Sequence, residues 1–301
     1  MQKAKRIDVH MHIVLHPELV PDCKWGGRML TAEEHMEYWD KIDIDYGVLL
    51  PIVAPEGQLH PMPCEDAKIV ADKYPDKFAW FCNIDPRFMN NAETSDFKVM
   101  LQHYKNLGAK GVGELTSNMH VDDPRVQKLF AACAELDMPV TIHIGFKEGG
   151  CYGIIDDLHL PKIEKLLQDY PNLKLIGHSQ PFWMEMGTDV TEENRNNHCP
   201  TTKVEEGRIA ELMRKYPNLY GDLSAGSGSN ALMRDEEYAI KFIEEFSDRL
   251  MYGCDICAKT NDLHYKFDAW LNRMVDEGKI SIENYNKIVR ENAIRILKLD
   301  I

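Results

Sequence analysis

The segment RIDVHMHI, residues 6–13, places two histidines one residue apart at the end of a short apolar run. Successive side chains of a β-strand alternate between its two faces, so His10 and His12 project in one direction, which Asp8 shares. Two imidazoles that converge on one point are candidate metal ligands, whereas a pair of hydrogen-bonded core histidines is the structural alternative. Polar residues elsewhere in the chain must decide between these interpretations.

Polar side chains also stand near the ends of four later apolar runs. These residues are Glu114 in GVGELT, His143 in VTIHIGF, His178 in LIGHSQ and Asp255 in MYGCDI. A single one of them is readily explained as a hydrogen-bonded core group, but recurrence at five strand ends favours a shared site. Nitrogen and carboxylate ligands of this kind suit Zn²⁺, with Mn, Fe and Co as alternatives.

Eight short apolar runs alternate with longer amphipathic stretches, which predicts βα units and a parallel sheet. The predicted strands are residues 6–12, 46–52, 77–84, 109–115, 139–144, 173–178, 219–223 and 249–256. Eight such units close into a (β/α)₈ barrel, whose active site lies at the carboxyl ends of the strands. A doubly wound open sheet is the alternative, but it leaves the polar residues at so many strand ends unexplained.

Helix signals support this interpretation. Thr31 and Glu34 have capping-box spacing, Pro124 follows Asp123 at a favourable first-turn position, and the segment from Ser281 predicts a terminal helix packed on the barrel. The glycine-serine cluster SAGSGSN, residues 224–230, is predicted to be a loop. We find no linker or repeat, so the whole chain, residues 1–301, is predicted to be a single domain.

Composition limits the classes of function. The 301 residues are 44% hydrophobic, which is enough for a sizeable core, and the net charge of −14 argues against a nucleic-acid or anionic-membrane surface. There is no apolar run of membrane-spanning length, so a cytoplasmic location is the default expectation. The eight cysteines are scattered and are expected to be reduced thiols. The expected partner is a small-molecule substrate, and a homo-oligomer is left open.

The ordered motifs DVHMHI, TIHIGF, LIGHSQPFW, YGDLSAGSG, LMYGCDI and RENAIRIL resemble the amidohydrolase superfamily over nearly the whole chain. The resemblance is to the amidohydrolase-related branch that includes decarboxylases of the aminocarboxymuconate-semialdehyde and resorcylate type. It implies a distorted (β/α)₈ TIM barrel with a centre of one or two divalent ions, Zn²⁺ being the expected ion. In many relatives the last motif is Gly-Thr-Asp, and here Cys254 replaces the threonine.

The resemblance also implies roles for individual residues. His10, His12, His143 and Asp255 would be metal ligands. His178 would be a ligand in a binuclear centre or a catalytic acid/base in a mononuclear one, and Glu114 occupies the place of a bridging carboxylate or carbamylated lysine.

The expected activity is that of a metal-dependent hydrolase, in which a metal-activated water attacks a small amide, ester or lactone. Asp255 would orient or deprotonate the water, and His178 would stabilise the developing oxyanion or donate a proton. The same centre serves nonoxidative decarboxylation of an aromatic or unsaturated acid, which is the second hypothesis. A non-catalytic metal-binding barrel is the third.

Loops after two strands offer substrate contacts. Trp25 and Arg28 follow the first strand, and an arginine fork is suited to a carboxylate. Phe182 and Trp183 follow the sixth strand as pocket aromatics, with a hydrophobic plug over the barrel rim as the alternative. The C-x-x-C spacing of Cys254 and Cys257 is interpreted as incidental to Asp255.

Overall fold

The computed structural model describes residues 2–22, 27–57, 61–258 and 260–301. Each of the eight predicted strands overlaps a strand of the structure, and a two-residue strand at Ile154–Ile155 is additional. In chain order the strands are β1 Arg6–Met11, β2 Ile44–Leu49, β3 Phe78–Trp80, β4 Val112–Leu115, β5 Val140–Gly145, β6 Ile154–Ile155, β7 Leu175–His178, β8 Leu219–Asp222 and β9 Leu250–Met251.

The strands pair in parallel in the orders β1-β2-β3 and β4-β5-β7-β8-β9, with β6 beside β5. Backbone hydrogen bonds join the edges of these two sheets. Cys82 N–H donates to Gly111 O at 3.0 Å on one side, and Val9 N–H donates to Tyr252 O at 3.1 Å on the other. The strands therefore form a distorted parallel barrel, as predicted, and the doubly wound alternative is wrong.

Several strands are shorter than predicted at their carboxyl ends. The predicted strand 249–256 contains regular pairing only at Leu250–Met251, and Asp255 has φ 51. A residue in the left-handed region cannot continue an extended strand. The chain therefore leaves the ladder before Asp255, although its N–H still donates to His10 O at 3.0 Å.

Twelve α-helices occur among the described residues. They are α1 Ala32–Trp39, α2 Cys64–Lys73, α3 Lys98–Asn106, α4 Pro124–Glu135, α5 Pro161–Asp169, α6 Gln180–Met184, α7 Arg208–Lys215, α8 Ala225–Met233, α9 Glu236–Phe246, α10 Leu263–Asp276, α11 Ile282–Asn286 and α12 Asn292–Leu297. None of them is long and apolar enough to cross a membrane. The predicted capping box of Thr31 and Glu34 is present at the start of α1, and Pro124 is in the first turn of α4.

The loop predicted at residues 224–230 is wrong, because α8 begins at Ala225. The small residues of this segment are buried, so α8 packs closely on the end of β8. Tertiary packing of this kind overrides the low helix propensity of glycine and serine. The predicted terminal helix is present as α11, a π-helical turn at Lys287–Glu291 and α12, and α12 packs on strand residues of the barrel.

Candidate metal centre

His10 in β1 and His12 just after its end meet at their Nε2 atoms, which lie 3.0 Å apart. Both rings are buried, and each is held through its other nitrogen. His12 Nδ1 lies 2.8 Å from Leu50 O, and His10 Nδ1 lies 2.6 Å from Asp222 Oδ2. Because Nδ1 is used for these hydrogen bonds, the Nε2 atoms are left to face a common point.

Two carboxylate oxygens complete a group of four donor atoms around this point. Glu114 Oε2 lies 3.6 Å from His10 Nε2 and 3.4 Å from His12 Nε2. Asp255 Oδ1 lies 3.9 Å and 3.7 Å from the same two atoms. Four ligands about 2.1 Å from a tetrahedral ion are separated by about 3.4 Å. The spacing of these donor atoms therefore matches the size of a divalent cation site.

The other oxygen of Glu114 faces a second group. Its Oε1 lies 2.8 Å from His143 Nδ1 and 3.8 Å from His178 Nε2. Asp255 likewise reaches both groups, because its Oδ2 is 3.7 Å from His178 Nε2. Glu114, His143 and His178 thus form a second set of donor atoms, which shares a carboxylate with the first.

His143 belongs to the second group of donor atoms. Its Nδ1 faces Glu114 Oε1, and its ring lies 5.4 Å from that of His178. The physical reason is strand order, because β5 lies between β4 and β7, which carry Glu114 and His178.

Two buried polar residues that support the centre were missed at the level of sequence. Asp222 Oδ2 contacts both His10 Nδ1 and His178 Nδ1, at 2.6 and 3.3 Å, and Ser224 Oγ lies 3.1 Å from His178 Nδ1. Asp222 ends a strand, as the predicted site residues do, and that position was the available signal. Asp8, noted only for its direction, accepts from the His10 and Cys254 N–H groups at 3.1 and 2.8 Å.

The charges of the centre are strongly coupled. Burial by itself lowers the pKa of His10, but the surrounding carboxylates, Asp255 foremost, outweigh it and hold that pKa well above its usual value. Burial would raise the pKa of Glu114, yet the attraction of His10 and His143 holds it well below its usual value. Burial keeps the pKa of His143 lowered in spite of Glu114. Such perturbed groups are typical of functional sites.

Residues 7–299 match the family model described as amidohydrolase. The chain belongs to the amidohydrolase family. Amidohydrolases are metal-dependent, and the donor groups described above fit a metal ion. A search of curated proteins finds no match to this amidohydrolase.

Solved structures similar to this amidohydrolase cover almost the whole chain. An uncharacterized TIM-barrel protein from Bordetella bronchiseptica has 19% identity and a TM-score of 0.65 over 98% of this chain and 99% of that one. A zinc-bound amidohydrolase from Burkholderia multivorans has 13% identity and a TM-score of 0.63 over 98% and 100%. The 2,6-dihydroxybenzoate decarboxylase from Rhizobium has 17% identity and a TM-score of 0.60 over 100% of both chains. At these identities the similarity shows the fold.

A cavity of about 30 Å³ adjoins the two donor groups of this amidohydrolase. The Tyr152 ring lies 4.4 Å from the His143 ring on its wall. Cys257 also lines the cavity, and its Sγ lies 3.3 Å from Asp255 Oδ1, so the second cysteine of the C-x-x-C pair belongs to the surroundings of the centre. The lining residues are His12, Met29, Ile52, Gly57, Glu114, Thr116, His143, Tyr152, Asp255 and Cys257.

Three of the four residues predicted to contact substrate lie in the part of the chain that the structure describes, and none of these three lines the cavity. Phe182 and Trp183 are completely buried on α6, which corrects the expectation that they face a substrate and favours their packing role. Arg28 is engaged by Glu34, with nitrogen–oxygen distances of 2.8 and 3.2 Å, because α1 begins beside it. Trp25 lies outside the described residues.

Proposed function

We propose that this amidohydrolase is a metal-dependent hydrolase that acts on a small amide, ester or lactone. The observation that carries the proposal is the group formed by His10 Nε2, His12 Nε2, Glu114 Oε2 and Asp255 Oδ1. The two nitrogens are 3.0 Å apart, and each of them lies 3.4–3.9 Å from the two carboxylate oxygens. These side chains would hold one ion, and a second would lie against Glu114, His143 and His178.

The nitrogen and carboxylate donors fit Zn²⁺, and the zinc-bound relative from Burkholderia multivorans supports that choice. When bound, the ion supplies Lewis-acid activation of water and of a substrate carbonyl at neutral pH. Glu114 places one oxygen toward each donor group, so it holds the groups together whether one or two ions bind.

Asp255 and His178 supply the proton transfer and the stabilisation of the oxyanion. Asp255 Oδ1 faces the histidine pair, which leaves Oδ2 to accept a proton from the attacking water, and Asp255 then returns this proton to the leaving nitrogen or oxygen. In a centre that holds one ion, where His178 is not a ligand, its Nε2 lies 3.7 Å from Asp255 Oδ2 and donates a hydrogen bond to the developing oxyanion. Its Nδ1 is occupied by Ser224 and Asp222, so the ring is kept in orientation.

The proposal is tested by metal analysis of protein purified without chelators, together with activity on a panel of amides, esters and lactones. We expect one or two equivalents of divalent ion, and activity that is lost on chelation and restored by Zn²⁺. Full activity in protein without stoichiometric metal would overturn the proposal.

Decarboxylation is the second candidate. It is favoured by the similarity of fold to 2,6-dihydroxybenzoate decarboxylase over the full length of both chains. Release of CO₂ from a panel of aromatic and unsaturated acids distinguishes it from hydrolysis, because the two reactions share the same donor groups. Absence of release across the panel would count against it.

The third candidate, a non-catalytic metal-binding barrel, is separated from both enzymes by His178→Ala. Loss of an acid/base or oxyanion contact lowers an enzyme's rate about 10²–10⁴-fold. In a structural or sensing protein the same substitution should leave metal-dependent behaviour unchanged. His120→Ala is the matched control, because His120 is partly exposed and its Nδ1 contacts Lys162 Nζ at 3.0 Å rather than the donor groups.

A further inference from the structure

One buried carboxylate touches two histidines of the centre. Asp222 ends β8 and is completely buried. Its Oδ2 lies 2.6 Å from His10 Nδ1 and 3.3 Å from His178 Nδ1, and its Oδ1 accepts the Ser224 N–H at 2.9 Å. The two histidines come from β1 and β7, which are not neighbours in the barrel. Asp222 thus connects side chains that no backbone pairing links.

This contact determines which ring nitrogens carry hydrogen. A carboxylate accepts hydrogen bonds and donates none, so His10 Nδ1 carries the hydrogen that it donates to Asp222. His178 Nδ1 lies 3.3 Å from the same oxygen and 3.1 Å from the Ser224 hydroxyl, and the negative charge of Asp222 favours a hydrogen on this nitrogen as well. Each Nε2 is then the atom directed at Glu114 and Asp255. Burial excludes water as a substitute acceptor, so loss of the carboxylate removes this support from the His10 ring and leaves His178 Nδ1 with Ser224 alone.

Asp222 is itself held in place by the core. The Trp183 indole N–H donates to Asp222 O at 2.8 Å. The Trp183 ring packs on Gly221, where an added Cβ would lie 2.8 Å from Trp183 Cη2. The completely buried aromatic residue of α6 therefore supports the strand end that carries Asp222.

We propose that Asp222 is a positioning residue that presents His10 Nε2 and His178 Nε2 to the metal centre at the same time, without contacting substrate. The inference rests on the proposed function to the extent that the centre binds an ion. A metal-ligating histidine usually donates its other ring N–H to a hydrogen-bond partner that fixes the ring orientation. Here we assign that function for both histidines to one carboxylate.

The first test is zinc affinity, measured by competition with a chromophoric chelator for wild type, Asp222→Asn and Ser224→Ala. We expect Asp222→Asn to bind about 10–100-fold more weakly. Ser224→Ala, which removes one contact of His178 only, should lose less. Asp156→Asn is the matched control, because Asp156 is a buried carboxylate that accepts from the start of α5 instead.

The second test needs no variant. In zinc-loaded wild type, the imidazole nitrogens of His10 and His178 are assigned by long-range ¹H–¹⁵N NMR, and both Nδ1 atoms should carry hydrogen. A bare Nδ1 in His10 or His178 would overturn the inference even if Asp222→Asn does not fold. If wild type binds no zinc, the proposed function is wrong. If wild type binds zinc tightly and Asp222→Asn binds it equally tightly, only the proposed role of Asp222 is wrong.

Discussion

At the scale of the residue, Glu114 is the group on which the two donor sets depend. It is buried and presents Oε2 to His10 and His12 and Oε1 to His143 and His178. Its pKa is held well below the usual value because the attraction of His10 and His143 outweighs burial, so it is ionised at neutral pH. A buried carboxylate that is ionised at neutral pH is a suitable ligand for a divalent ion.

Glu114→Gln keeps the shape of this side chain but replaces a carboxylate oxygen with an amide nitrogen that cannot bind a cation. We expect zinc affinity to fall at least about tenfold, and the stoichiometry to fall to one or below if wild type binds two ions. Chelator competition and metal analysis measure both quantities. Glu164→Gln, in an ion-paired glutamate beside Arg208 and Lys215, is the control, and equal affinities of the two variants would contradict this role of Glu114.

His264 offers a pH prediction away from the centre. It is buried, and neither ring nitrogen has a hydrogen-bond partner among the described residues. Burial lowers the pKa of His264 to about 4. The unfolded chain takes up a proton near pH 6.5 and the folded chain does so only near pH 4, so this residue makes stability fall as the pH drops through that window.

His264→Leu removes this titration and no hydrogen bond among the described residues. Between pH 8 and pH 5 the variant should lose about 2 kcal/mol less unfolding free energy than wild type. Urea unfolding at both pH values measures the difference. The control is His103→Leu, which changes an exposed histidine and should retain the wild-type pH dependence. If His264→Leu also retains the wild-type pH dependence, the prediction for His264 is wrong.

At the scale of the element, the centre depends on how closely β1, β8 and the segment after β9 approach one another. Gly253 lies at their junction. A Cβ at this position would lie 2.9 Å from Ser224 Cβ, 3.0 Å from Asp222 Oδ1 and 3.2 Å from His10 Cβ. A larger residue must therefore push apart the strand ends that carry the donor atoms.

Gly253→Ala is expected to lower the unfolding free energy by about 1–3 kcal/mol, as other overpacked sites do, and to weaken zinc binding because His10 and Asp222 shift. Gly111→Ala separates the two effects, because its Cβ would meet the Phe81 ring at 2.5 Å rather than the centre. Gly111→Ala should have a lower unfolding free energy and an unchanged zinc affinity. If the two variants bind zinc equally well, the packing at Gly253 does not determine the positions of the donor atoms.

At the scale of the whole molecule, the barrel gathers charged groups that come from distant parts of the chain. His10 and Asp255 are separated by most of the sequence, yet the Asp255 N–H donates to His10 O. An ion bound between them acts on the folded chain alone and therefore stabilises it.

Metal removal should lower the thermal midpoint. At a free zinc concentration 100 times the dissociation constant, binding adds about 2.7 kcal/mol, which corresponds to about 4 °C for a chain of this size. Differential scanning fluorimetry with and without chelator measures the shift. The double variant His10→Ala/His12→Ala should show no response to zinc, and a zinc response equal to that of wild type would place the ion elsewhere.

Much of this architecture follows from local pattern. The alternation of short apolar runs with amphipathic stretches is sufficient for eight parallel strands, and the capping box at Thr31 needs only residues within one turn of α1. The positions of His10, His12, Glu114, His143, His178 and Asp255 near strand ends follow from the same pattern, because a barrel brings all carboxyl ends to one face.

Other features depend on contacts between segments far apart in the chain. SAGSGSN forms a helix because it packs on β8, and Phe182 and Trp183 are buried because α6 lies under the ends of β7 and β8. Strand alternation determines the direction of a side chain but not its partner. Barrel closure and strand order alone decided that Glu114 divides its oxygens between two groups and that Asp222 joins His10 to His178.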